Sequence, residues 1–173
     1  FFAASTGCET QTQTNAATGA TTFTGAVSVG SASLKGTSYA INNSFASGGT
    51  TSITNSGTVT KNATGNITST GAFSTTGDVN LAANITTTDT NLTIGGNLVI
   101  AEAATPTLST GAGTAGNVLV SGTTNGTTGG VAETLTVQAG TGTATFTGNV
   151  GNNANGTELE APTITNAAAT TSS

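Results

Sequence analysis

Hydrophobic residues recur along the chain at short, even spacings, separated by threonine, serine, asparagine and glycine. Thr145-Phe146-Thr147-Gly148-Asn149-Val150 repeats Thr22-Phe23-Thr24-Gly25-Ala26-Val27 at a distance of 123 positions (145 − 22). In both copies Phe and Val lie four apart. A period of two puts Phe, Gly and Val on one face of a strand and the threonines on the other. Phe23, Val27, Phe146 and Val150 are therefore predicted core residues. Echoes follow at Gly77-Asp78-Val79-Asn80-Leu81, Gly96-Asn97-Leu98-Val99-Ile100 and Gly116-Asn117-Val118-Leu119-Val120. The steps between their glycines, and on to Gly142, are 19 (96 − 77), 20 (116 − 96) and 26 (142 − 116). Constant strands with loops of varying length give such steps in a stacked β-coil.

Residues 20–46 alternate through Phe23, Gly25, Val27, Val29, Leu34, Tyr39, Ile41 and Phe45. Residues 50–75 read as short strands built on Ile53, Val59, Ile67 and Phe73, punctuated by glycines. Further on, Leu108–Gly113 parallels Val137–Gly142 at an offset of 29, as Thr134-Leu135-Thr136 parallels Thr163-Ile164-Thr165. Asn125-Gly126-Thr127 parallels Asn155-Gly156-Thr157 at 30 and reads as an equivalent turn. No window carries apolar residues at helical spacing, and Thr, Asn, Ser and Gly are poor helix formers. The fold class is all-β. The leading architecture is a β-solenoid, parallel β-helix-like, with rungs of roughly 20 residues. The alternative is a pilin-like β-sandwich with donor-strand exchange, the apolar N-terminal segment acting as donor. The organisation that follows is an N-terminal segment over 1–18 available for an inter-subunit contact, a repetitive domain over 19–166 and a tail over 167–173.

Composition sharpens this picture at a few points. Charged residues make up only 5% of the chain, and aromatics 4%. A disordered chain of such low hydrophobicity would carry far more charge, so the expectation is an ordered chain with a thin core. The net charge is −5, and Lys35 and Lys61 are the only basic side chains. With no basic patch, nucleic acid is excluded as a partner. The acids Glu9, Asp78, Asp89, Glu102, Glu133, Glu158 and Glu160 are scattered and read as solvated surface charges. Cys8 is the single cysteine, so no intrachain disulfide forms. Its surroundings look like the tail of an export signal, although Ser5 stands where a lipid-attachment box prefers an aliphatic residue, and a buried apolar thiol is the plainer expectation. No run approaches the length of a membrane-spanning helix.

The run Leu135-Thr136-Val137-Gln138-Ala139-Gly140-Thr141-Gly142, then Phe146-Thr147-Gly148-Asn149-Val150-Gly151, then Thr163-Ile164-Thr165-Asn166, resembles a recurring unit of large bacterial surface proteins. These are the filamentous-haemagglutinin-like and autotransporter-like β-helix adhesins. The resemblance covers residues 77–166 well and 19–75 loosely. It implies a parallel β-helix, secretion and a role in adhesion or surface architecture.

Candidate chemistry is sparse. Histidine is absent, which removes imidazole metal sites and His-based triads. Glu158 and Glu160, two apart, share a strand face at about 7 Å, a separation glycosidases use, but no Arg or Trp accompanies them to hold a sugar. Gly111-Ala112-Gly113-Thr114-Ala115-Gly116 has the spacing G-x-G-x-x-G, yet no helix follows to cradle a phosphate, so turn glycines are the reading. Catalytic residues, cofactors and metal ligands are accordingly expected to be none. Seven glycosylation sequons occur, at Asn42, Asn62, Asn66, Asn84, Asn91, Asn125 and Asn155. With 17 asparagines and about a third of the chain Ser or Thr, roughly six would arise by chance.

The expected function is that of an extracellular or cell-surface structural protein, a filament or stalk subunit that self-assembles through β-strands. Its partners are then copies of itself, with Phe1 and Phe2 as a subunit contact. The alternative, from another class, is a carbohydrate- or receptor-binding adhesin module recognising surface glycans, for which Tyr39 and the Glu158/Glu160 pair offer the material.

Overall fold

The computed structural model describes residues 5–8, 11–13, 19–113, 116–127, 131, 133–151, 159, 162–165, 167 and 169–172. Among these every strand pairing is parallel, and no helix occurs. The first pass of the chain lays down β1 (Ser5–Cys8), β2 (Gln11–Gln13) and β3 (Ala20–Phe23). The next passes give β4 (Val27–Val29), β5 (Ala32–Gly36) and β6 (Ser38–Ile41), then β7 (Phe45–Ser47), β8 (Thr51–Asn55) and β9 (Val59–Lys61). They continue with β10 (Ile67–Ser69), β11 (Phe73–Thr75) and β12 (Val79–Leu81), and with β13 (Ile85–Thr87), β14 (Leu92–Ile94) and β15 (Leu98–Ile100). Beyond these lie β16 (Thr107–Ser109), β17 (Val118–Val120) and β18 (Thr124–Gly126), then β19 (Thr136–Gln138) and β20 (Thr143–Phe146). The described chain ends with β21 (Thr163–Thr165) and β22 (Ala169–Ser172).

Each strand pairs with the one a full turn later. Three parallel sheets result: β1-β4-β7-β10-β13-β16-β19-β21, β2-β5-β8-β11-β14-β17-β20-β22, and β3-β6-β9-β12-β15-β18. The molecule is a three-faced β-solenoid. Its parallel ladders set aside the sandwich alternative, whose hairpins would pair antiparallel. The step from coil to coil is 18 between Val27 and Phe45 (45 − 27) and 22 between Phe45 and Ile67 (67 − 45). It lengthens to 26 between Leu98 and Thr124 (124 − 98) and to 29 between Leu108 and Val137 (137 − 108). The added residues sit at corners, between β15 and β16, between β16 and β17 and between β18 and β19, while these strands keep their short length.

The inward positions follow a rule of six. Phe73, Thr75, Val79, Leu81, Ile85 and Thr87 are all buried, at alternating steps of two and four. Two residues of each short strand point inward, and a three-residue corner carries the chain to the next face. The Thr-Phe-Thr-Gly-x-Val repeat is thus a corner and not one strand. Phe23 ends β3 and Val27 begins β4, while Phe146 ends β20 and Val150 bridges Thr124 on the third face. Phe23, Val27 and Phe146 are buried, and Val150 is half-buried against the core.

Stacked ladders make up that core. One runs Val27, Phe45, Ile67, Ile85, Leu108, Val137 and Ile164 up the first face. Each fully buried aliphatic residue contributes roughly 1.5–3 kcal/mol. Phe23 stacks on Tyr39 at 6.4 Å between ring centroids and meets Phe45 edge-on at 5.7 Å. Along the corner from first to second face the interior turns polar. There Ser69 Oγ donates to the Gly49 carbonyl at 2.7 Å, and Thr87 Oγ1 donates to the Thr90 carbonyl at 2.6 Å. Hydroxyls there satisfy carbonyls that the tight corner turns away from the sheets.

A glycine column lines the corner between the second and third faces. Gly57, Gly77, Gly96, Gly122 and Gly148 stack so closely that a Cβ on Gly96 would lie 2.6 Å from the Gly77 carbonyl carbon, and one on Gly122 2.7 Å from that of Gly96. Backbone packs directly on backbone there, which only glycine permits. The expected glycine steps of 19, 20 and 26 catch Gly77 and Gly96, but Gly116 belongs to another corner, beneath Gly142. The equivalence that the corner insertion hides is Gly96 to Gly122.

Two boundary expectations change. Ser5–Cys8 and Gln11–Gln13 belong to the solenoid, paired to β4 and β5, and Ala169–Ser172 is a strand on β20 in place of a tail. Asn125 is the middle residue of β18, not a turn residue, and Thr136 pairs with Thr163 at 27 (163 − 136), two short of the offset of 29 read from the repeat.

Gly96→Ala is expected to cost about 1–3 kcal/mol in urea unfolding, since backbone must shift to admit the methyl. Gly19→Ala, with nothing within 4 Å of the added carbon, should leave stability unchanged. Thr124 occupies the inward column of Val59, Val79 and Leu98 with its hydroxyl buried and unpartnered. Thr124→Val should therefore stabilise the protein by about 1 kcal/mol, and a destabilisation measured in the same titration would refute that account of the hydroxyl.

Candidate assembly surface

In a solenoid the backbone hydrogen bonds run along the axis. The Val59 N–H donates to the Asp78 carbonyl at 2.9 Å, the Val79 N–H to the Asn97 carbonyl at 2.8 Å and the Leu98 N–H to the Thr123 carbonyl at 2.8 Å. This chain of bonds continues until coils run out. Among the described residues β1, β2 and β3 have a strand neighbour on one side only, and so do β18, β21 and β22. These two ends are the places where a further parallel strand can add.

The sides carry ladders of their own at the corners. At the start of several strands stands a residue whose backbone N–H points at a side-chain oxygen of the neighbouring coil. Asp78 Oδ1 accepts from the Asn97 N–H at 2.7 Å, and Asn97 Oδ1 accepts from the Thr123 N–H at 2.9 Å. Asn66, Asn84 and Thr107 form a second such column, and Asn91, Asn117 and Thr143 a third. The Gly-Asx pairs before strands thus have two jobs: glycine admits the neighbouring coil, and the Asx oxygen ties the two coils together.

Three of the sequon asparagines, Asn66, Asn84 and Asn91, are members of these columns. Asn62 donates its side-chain N–H to Asn42 Oδ1 at 2.7 Å. Asn62, Asn66 and Asn91 are exposed, while Asn42, Asn84 and Asn125 are half-buried. Asn155, Phe1, Phe2, Glu158 and Glu160 lie outside the described residues. Cys8 closes β1, opposite Val29.

Tyr39 is buried against Phe23 and offers no ring to a ligand. Burial also pushes its phenol above the ordinary value. That placement corrects its role in the adhesin alternative, because residue 39 falls on an inward position of β6. Val131 is the one large hydrophobic residue exposed among the described residues. A groove of about 200 Å³ lies beside Lys35, Gly36, Thr37, Thr54, Asn55 and Ser56. It is smaller than the usual ligand pocket and has no aromatic wall. In the glycine run, Gly111 takes φ 103° and its N–H donates to Ser109 Oγ at 3.2 Å, the behaviour of a corner turn. No described helix is long and apolar enough to cross a membrane.

Two charged residues are buried, and the acid among them departs from the surface reading. Glu133 is fully buried. Lys61 is buried as well, in the inward column between Ile41 and Leu81, and its Nζ donates to the Asn62 carbonyl at 2.6 Å and the Thr64 carbonyl at 2.9 Å. The alternation around Val59 and Lys61 carried this signal, because Lys61 sits two after an inward valine. No family model, curated protein or solved structure matches the chain.

Burial holds the Lys61 ammonium below the ordinary lysine value of 10.5. The folded state thus releases this proton at a lower pH than the unfolded state. Between the two values the unfolded chain binds more protons, so the stability of the wild type rises with pH there; below both values the penalty stands in full. Lys61→Leu should exceed the wild type in stability at neutral pH, with the difference shrinking as pH climbs towards the ordinary lysine value. Any ionisation of Tyr39 affects both proteins and cancels in that difference. Urea midpoints measured across this range check the sign, and a gap that widens with pH contradicts it.

Proposed function

We propose that the chain is a non-enzymatic structural protein of the cell exterior, a stalk or filament segment in which copies stack end to end through their terminal strands. The observation that carries this reading is the axial ladder: the solenoid grows by translation along its axis, every described pairing is parallel, and a further parallel strand adds by the same bonds. Parallel strands of like polarity at both ends make the contact head-to-tail and open-ended. Few side-chain charges guard those edges: among β1, β2, β3, β21 and β22 none carries Lys, Arg, Asp or Glu. Lysine on an edge strand is a common defence against such pairing. The sides support the same reading, being built of small polar residues without an apolar patch among the described residues.

Purified protein should form fibres in electron micrographs and sediment as a concentration-dependent series of oligomers. Ala20→Lys with Thr22→Lys charges the terminal strand β3 without touching the inward Phe23, so this variant should fold and remain monomeric. A wild-type chain that stays monomeric at high concentration overturns the filament reading; assembly unchanged in the double variant shows that β3 is not at the joint.

A further inference from the structure

Glu102, Thr127 and Glu133 meet at the corner that follows the third face. Glu102 comes two residues after β15, and Ala103, at φ 57°, turns the chain directly after it. Thr127 follows β18, one coil further on. Glu102 Oε1 accepts the Val131 N–H at 2.7 Å, and its Oε2 lies 3.1 Å from Thr127 Oγ1. Glu133 Oε1 accepts the Thr127 N–H at 3.3 Å and makes a short contact with the same Thr127 hydroxyl.

A hydroxyl carries one proton, so Thr127 Oγ1 donates to only one of these two carboxylate oxygens. The other contact brings lone pair against lone pair unless something positive lies between. Glu133 adds an independent sign. It is wholly buried, and its Oε2, against Gly126, has no hydrogen-bond partner and no contact with water. A carboxylate removed from water without a counter-charge is costly. The two lysines are committed elsewhere: Lys61 bonds its own corner carbonyls, and Lys35 borders the groove beside Thr54 and Asn55.

We propose that this cluster binds a divalent cation of the calcium class, with the Glu102 and Glu133 carboxylates and the Thr127 hydroxyl as ligands. Two carboxylates balance two positive charges. The ligands are all oxygen, which suits a hard cation and disfavours zinc or copper. A cation there ties Thr127 and Glu133 to Glu102, joining positions 25 and 31 apart in sequence (127 − 102, 133 − 102). No three acids or imidazoles converge among the described residues, so the affinity belongs in the weak range of extracellular modules, with Kd about 10⁻⁴–10⁻³ M.

Calorimetric titration of CaCl2 into chelator-treated full-length protein, with thermal melting alongside, tests this. One weak site is expected, and a Tm that rises with calcium because the cation binds only the folded chain. Glu102→Gln, at an exposed residue whose loss does not threaten folding, should weaken calcium binding by about tenfold or more and flatten the Tm response. Glu133→Gln should do the same where circular dichroism shows an intact fold. Asp78→Asn, a carboxylate in a different corner column, should bind calcium as the wild type does. No heat of binding at millimolar calcium, or binding unchanged in Glu102→Gln, overturns the proposal.

Discussion

The backbone ladder between successive coils is the interaction on which everything else in this molecule rests. Most side chains here are too small to hold a domain by burial alone. Each inward strand residue instead joins an unbroken axial series of N–H···O=C bonds, as from Val59 to Asp78, Val79 to Asn97 and Leu98 to Thr123. The ladder fixes neighbouring coils about 4.8 Å apart. That spacing makes like residues meet like: aliphatic on aliphatic within, Asx on backbone N–H at the corners, glycine on glycine at the tightest turn. A coil that lost its register would forfeit all three at once.

Stability in such a structure is local. A coil touches only its two neighbours, so each adds an intrinsic term and an interface term. The lumen holds little beyond two side chains per face, and polar residues enter it where a corner leaves carbonyls to satisfy. Lys61 shows the limit of that tolerance. It shares a column with Phe23, Ile41, Leu81 and Ile100, and it is accommodated because the longer corner after β9 supplies two carbonyls to its ammonium. Coil length is equally tolerant, since the residues inserted after Ile100 and Ser109 leave the short strands in register.

Much of this was legible in the sequence, for physical reasons that differ by residue. The alternation of Phe, Ile and Val with Thr and Ser marks strands because inward and outward positions must alternate. The offset between Leu108 and Val137 equals the coil step, since those two residues are paired. A uniform period of two misleads at the corners: Phe23 and Val27 both point inward although they lie on different faces, and the true rhythm is two then four. For Tyr39 the period of two holds: its step of two to Ile41 places it inside, and a surface ring at that position goes against the alternation. The Glu102, Thr127 and Glu133 cluster had no sequence signature at all. It depends on which corner residues the lengthened coils bring together, and insertions obscure that alignment.

The ends of the solenoid bear on what the chain can do, and the change of coil length sharpens the point. The coil step is 18 and then 22 early in the chain (45 − 27, 67 − 45), against 26 and 29 later (124 − 98, 137 − 108), so the outlines of the two ends differ. Were the corners the contact surface, a head-to-tail joint between copies would fit badly. The ladder depends on the strands, which keep nearly the same length and polarity at either end. A joint made by strand pairing is therefore indifferent to the size of the corners it passes. The pairing of β15 with β18 already shows this inside the molecule, where a step of 26 (124 − 98) follows one of 19 (98 − 79) without loss of register. That internal transition shows the strands alone bridging unequal coils, which is what the proposed joint between copies requires.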